Sequence, residues 1–187
     1  MPSALTDKVK DSLLSVIEGT GDVIGTTRDT VKKTVVDTVK GAGEVTTGAM
    51  GVIADVVSGG AAAASQSAKS TTDGVEGVVE GAIDAAKEIG ADIGQAVEQA
   101  AEGAIKGVSE VGGDLGETSV GAVKGAIAAA SDVETDVNDA ATKAVVGVLK
   151  AADEIGSEAG SIVRKALLST AALPREIIEA AVGKTEN

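Results

Sequence analysis

Uncharged positions recur every eleven residues along this chain, in a single register from Val9 to the last residues. The lane through Val9 continues as Thr20, Val31, Ala42, Ile53, Ala64, Val75, Ala86, Val97 and Val108. A neighbouring lane runs Ser12, Val23, Thr34, Val45, Val56, Ser67, Val78, Ile89, Ala100 and Val111, and goes on through Val133, Ala144 and Ile155 to Ile177. Three more lanes start at Leu13, Val16 and Ile17. Across all five only Arg28 and Glu134 are charged, although the chain carries 16 basic and 29 acidic residues. Eleven residues make three turns at about 3.67 residues per turn, so the lanes lie side by side as an apolar arc of roughly 130–160°. The pattern predicts an all-α protein: one very long amphipathic helix, or a few in-phase helices, with 11-residue repeats and not a compact globule.

The larger apolar residues of the arc form the candidate surface or assembly face. They are Val9, Leu13, Val16, Ile17, Val23, Ile24, Val31, Val35, Val45, Ile53, Val56, Val75, Val79 and Ile83, followed by Ile89, Ile93, Val97, Ile105, Val108, Val111, Leu115, Ile127, Val133, Val145, Val148, Ile155 and Val163. Continuity of phase predicts one helical region over residues 1–172, since a loop of arbitrary length shifts the lanes. Gly59-Gly60 and Gly112-Gly113 are possible breaks. Pro174 suits the first turn of a short C-terminal helix, so residues 173–187 are read as that helix and a frayed tail. A straight helix over residues 3–172 would be about 255 Å long. With some twenty interior glycines, each costing roughly 1 kcal/mol, it would unfold in water unless something covered its arc.

Glycine also recurs in one lane at the arc's edge. Gly81, Gly103, Gly125 and Gly147 alternate there with Asp92, Asp114 and Asp136, and Gly-x-x-x-Gly pairs such as Gly77/Gly81, Gly103/Gly107 and Gly121/Gly125 accompany them. This spacing allows two helix backbones to approach closely, which marks Gly81, Gly103, Gly125 and Gly147 as candidate close-packing glycines. Acidic residues Glu80, Asp84, Glu88 and Asp92 sit at i,i+4 spacing. A straight helix face cannot converge the six to eight oxygens of a calcium site, so this ladder is read as a solvated acidic face.

Composition narrows the chemistry further. The chain lacks Phe, Tyr, Trp, Cys and His, which removes the aromatic burial of an ordinary core, thiolate ligands, and the usual general base. No cofactor or metal is expected, and catalysis is not expected either. The net charge is −13, and residues 71–140 alone hold 15 acidic against 3 basic groups. That balance repels phosphates and offers no stacking platform, which argues against nucleic acid; no small-molecule substrate is indicated. The N-terminus carries no basic-then-apolar leader, and the longest uncharged run, residues 56–68, falls short of the ~20 apolar residues of a membrane span. The expected location is cytoplasmic, peripheral to a membrane or lipid particle.

The eleven-residue periodicity with small apolar residues and Thr resembles that of perilipins, synucleins, exchangeable apolipoproteins and late-embryogenesis-abundant proteins. The likeness to synucleins is local, in Gly41-Ala-Gly-Glu-Val-Thr-Thr-Gly-Ala-Met-Gly-Val-Ile-Ala-Asp-Val-Val57, without their Lys-Thr-Lys-Glu-Gly-Val core. The resemblance implies reversible coating of lipid surfaces or protection during water loss. The leading expectation is therefore a non-catalytic structural protein whose helix coats or scaffolds a lipid or apolar surface, anchored by the Lys-bearing N-terminal third. The partner would be a lipid or membrane surface, other copies of the chain, or both. Two alternatives stand beside it: a self-assembling helical bundle or filament without lipid, and a desiccation protectant that folds on drying, against which the mean hydropathy of +0.21 counts.

Overall fold

From Gly48 to Asp136, each pair of 11-residue units folds as one helix of about five turns and one tight turn. The computed structural model describes residues 3–43 and 48–185, and among them are nine α-helices. They are α1 (Ala4–Gly19), α2 (Val23–Ala42), α3 (Ala49–Gln66), α4 (Thr71–Glu88), α5 (Ile93–Glu110), α6 (Leu115–Asp132), α7 (Val137–Ile155), α8 (Ser157–Ser169) and α9 (Arg175–Thr185). The N-caps Gly48, Ser70, Asp92, Asp114 and Asp136 fall 22 residues apart. Two hendecads are six helical turns, so a four-residue turn after an 18-residue helix keeps the lanes in phase while the chain doubles back.

Local chemistry sets both ends of each repeat. The carboxylates of Asp92, Asp114 and Asp136 accept from the N–H groups of Gln95, Glu117 and Asp139 at 2.7, 2.9 and 2.9 Å, satisfying donors the first turn leaves open. At the opposite ends, the N–H groups of Ala91, Gly113 and Thr135 donate to the carbonyls of Ala86, Val108 and Ala130 at 2.9, 3.0 and 2.9 Å. These six-to-one bonds close the last turn around a left-handed residue. That residue is Gly90 (φ 72°), Gly112 (φ 68°) or Glu134 (φ 59°). Glu134, one of two charges in the lanes, is thus a turn residue and not a flaw in an apolar face.

Helices two apart in sequence stack side by side. α1, α3, α5, α7 and α9 follow one another in one layer and α2, α4, α6 and α8 in the other, with consecutive helices meeting across the interior. Glycine makes the stacking tight. A Cβ on Gly121 or Gly125 of α6 would lie 2.5 Å from the carbonyl oxygens of Thr72 and Glu76 of α4. On Gly103 of α5 it would lie 2.9 Å from the Ala54 oxygen, and on Gly147 of α7 2.9 Å from the Glu98 oxygen. Because both residue numbers rise together along the α4–α6 contact, these stacked helices run parallel and the helix between them runs back.

This architecture overturns the expectation of one very long, non-compact helix. The 8059 Å² of accessible surface on an 18.1 kDa chain is what a compact monomer exposes, about 8,100 Å² on the general size scaling. Absence of aromatics does not prevent a core, because backbones that approach through Gly and Ala need less side-chain volume to fill the space between them. Gly59-Gly60 lies inside α3, whereas Gly112-Gly113 falls in the turn between α5 and α6. The repeat shortens at its end: α8 begins directly after Gly156, 20 residues beyond the Asp136 cap. Pro174 precedes α9.

Candidate functional site

The residues predicted to present an apolar face are mostly inside the molecule. Val9, Leu13, Ile17, Val31, Val35, Ile53, Val56, Val75, Val79, Ile83, Val97, Ile105, Val108, Val145, Val148 and Val163 are buried. Val16, Val23, Ile24, Ile89, Ile93, Val111, Leu115, Ile127 and Val133 are half-buried, and Ile155 is exposed at 44%. Val45 lies outside the described residues. The lanes meet one another across the two layers. Gly81, Gly103, Gly125 and Gly147 are buried where one helix crosses its neighbour's backbone.

The densest charged cluster joins three helices of one layer. Arg28 of α2 donates from Nε to Asp84 Oδ2 at 2.7 Å, and its Nη2 lies 2.7 Å from Asp84 and 2.9 Å from Asp132 of α6. Its Nη1 is 3.4 Å from Glu80. Glu80 and Asp84 are 5% and 8% exposed, which corrects the reading of the ladder as a solvated acidic face for these two steps, whereas Glu88 and Asp92 are exposed. Burial pushes the Glu80 carboxyl up to about 7 against the pull of Arg28, with Glu76, Asp132 and Asp84 adding to the rise. Burial works against the charge of Arg28, yet the Asp84 hydrogen bond and the surrounding carboxylates raise its pKa. Further along, Glu88 lies 3.5 Å from Lys32 and 3.3 Å from Lys40, whose hydrogen bonds hold its carboxyl below the usual value. Asp92 is a helix cap.

The other layer carries a matching column. Glu102 of α5, 6% exposed, lies 2.7 Å from Lys150 of α7 and 3.5 Å from Lys106. Lys106 in turn reaches Glu154 at 3.2 Å. Arg164 of α8 grips Asp153 of α7 with two bonds, 2.8 and 2.7 Å, which keep that carboxyl below its ordinary value. These contacts tie helices together. Among the described residues no group of three or more His, Cys, Asp or Glu is arranged to hold a metal ion, and no helix is long and apolar enough to cross a membrane.

No protein-family model matches the chain, and no curated protein matches it. The features that organise the molecule were nevertheless partly visible in the sequence. The lane alternating Gly and Asp is the 22-residue repeat itself, with Gly at mid-helix crossings and Asp at N-caps. A cap residue followed at once by an apolar one, as in Asp92-Ile93, Asp114-Leu115 and Asp136-Val137, is the signal that divides the lanes into helices. The pairing of Arg28 with residues more than fifty positions away has no local signal.

Proposed function

We propose that the protein is a non-catalytic structural scaffold that acts by associating with further copies of itself. The observation that carries this reading is the stack itself: among the described residues each inner helix is flanked by the helices two before and two after it, while α8 leaves Ile162 and Leu168 exposed at 45% and 40%. Stacked helical arrays can be extended through their end surfaces. The buried carboxylates Asp84 and Glu102 are taken up in ion pairs between helices, and the chain has no His or Cys, in keeping with a non-catalytic role. The lipid-coating reading loses its motivation, because the arc meant for lipid is taken up in the molecule's own interior. One feature still favours it: an open groove between α1 and α2, lined by Leu5, Val9 and Leu13 with Lys8 at its side. The desiccation reading needs a chain that is disordered in water, and a packed fold gives it no support.

Sedimentation over a hundredfold concentration range, with parallel flotation on neutral and anionic vesicles, separates these readings. Self-association without flotation is the expected result. A monomer at every concentration overturns the proposal, and flotation of that monomer would favour lipid.

A further inference from the structure

The large exposed hydrophobic residues among those described gather in one place: Ile155 at 44%, Ile162 at 45% and Leu168 at 40%. Ile155 is the last residue of α7, and the other two lie on the outer side of α8. Ile155 and Ile162 share an open depression with Leu115 of α6. Around them α8 exposes Glu158, Ser161 and Lys165, and neither charge has an ion-pair partner among the described residues. At about 100° per residue, positions 158, 161, 162, 165 and 168 fall within one arc of roughly 120°.

The two exposed charges of α8 are complementary when the helix is set against a second copy running the other way. About a midpoint between Ser161 and Ile162, Glu158 mirrors Lys165. A two-fold axis at that midpoint would set two α8 helices antiparallel. Glu158 of one copy then faces Lys165 of the other, twice, and the Ile162 side chains meet beside the axis. Self-complementarity of this kind is what an isologous contact requires.

The opposite end of the stack is unsuited to the same use. Val31 of α2 stands to Gly81 of α4 as Val79 of α4 stands to Gly125 of α6. On this correspondence the positions of Gly77 and Gly81 are held on α2 by Asp29 and Lys33, both exposed. Side chains there hold off the close backbone approach that continues the stack, as the polar outer face of a capping repeat does. One blunted end and one self-complementary end favour a closed pair over a filament.

We infer that α8 is a homodimer interface, in which a second copy of the chain docks antiparallel through Ile162 and Leu168 and pairs Glu158 with Lys165 across a two-fold axis. This deepens the self-association reading and rests on it. A contact centred on a helix of 13 residues, about 20 Å long, is at the small end of specific interfaces, where about 800 Å² per partner is standard. The pair should therefore be weak, and visible at tens to hundreds of micromolar.

Charge reversal tests the geometry. Glu158→Lys and Lys165→Glu each set like charges opposite one another in a homodimer and should weaken association at least fivefold, whereas the double variant restores opposite charges and should return it to within about twofold of the parent. Ile162→Asp should abolish it. All three sites are exposed, so unchanged helicity by circular dichroism confirms that folding is intact. Association that persists unchanged in the single reversals and in Ile162→Asp overturns the α8 interface and leaves the self-association reading standing. Failure of the double variant to recover overturns the two-fold pairing. A parent chain that stays monomeric throughout overturns both.

Discussion

At the scale of single residues, burial decides more than the identity of the charge. Glu80 ordinarily titrates near 4.5 and is pushed to about 7 by burial, with Arg28 opposing. A carboxyl whose pKa is raised on folding binds more protons in the folded state between those values. Stability from this group is therefore full at low pH and is lost as pH rises from about 4.5 through 7. Glu80→Gln mimics the protonated form, so parent and variant should unfold alike at pH 4, below the ordinary value. At pH 8 the variant should be the more stable, by on the order of 2 kcal/mol, when urea unfolding is measured at both. A variant less stable than the parent at pH 8 would mean that the Arg28 ion pair outweighs desolvation. Neither outcome was legible in the sequence, where Glu80 reads as one step of an exposed acidic ladder. Its burial comes from the approach of α2 through Gly77 and Gly81, a contact between segments more than fifty residues apart.

Helices here are specified by punctuation laid over a periodicity. The lanes show the helical type, because 3.67 residues per turn holds for each element taken separately, but the face they mark, expected to cover an outside surface, is mostly buried in the molecule itself. They concealed the number of elements, because helix plus turn equals two whole hendecads and the phase survives reversal of direction. Asp92, Asp114 and Asp136 as caps, and Gly90, Gly112 and Glu134 as left-handed closers, mark the divisions that periodicity does not. Glycine's part in helix pairing separates positions that look alike in sequence. Gly125→Ala drives a Cβ to 2.5 Å from the Glu76 carbonyl oxygen and should cost 2 kcal/mol or more, by the general range for overpacking of about 1–3 kcal/mol. Gly51 in α3 has no atom within 4 Å of the same construction, so Gly51→Ala should stabilise by a few tenths to about 1 kcal/mol. Equal effects of both substitutions on the thermal midpoint would remove glycine-mediated approach from the account.

For the whole molecule, the main point is that the chain supplies its own apolar partner. The arc that seemed to need lipid or other copies is covered by the next helices of the same chain. Sequence reasoning missed this because it priced glycine as a helix breaker, at a cost no single helix can bear, and did not credit the close stacking that glycine permits. The interior is built almost entirely from Ala, Val and Ile, with Leu13, Leu149 and Leu167 among its larger fully buried side chains. Charges line the same stacks: Arg28 spans α2, α4 and α6, and Lys150 and Lys106 join α5 to α7. The outer faces of α2 and α8 differ in chemistry, Asp29 and Lys33 on one and Ile162 and Leu168 on the other.

Far-ultraviolet circular dichroism of the purified chain in buffer alone, from about 1 to 100 µM and again with vesicles, tests this self-covering most directly. A helix content near the 84% of the described residues that changes with neither concentration nor lipid, and melts cooperatively, is the predicted result. A coil that becomes helical only when vesicles are added or concentration is raised would contradict it, and would return the apolar lanes to an external surface.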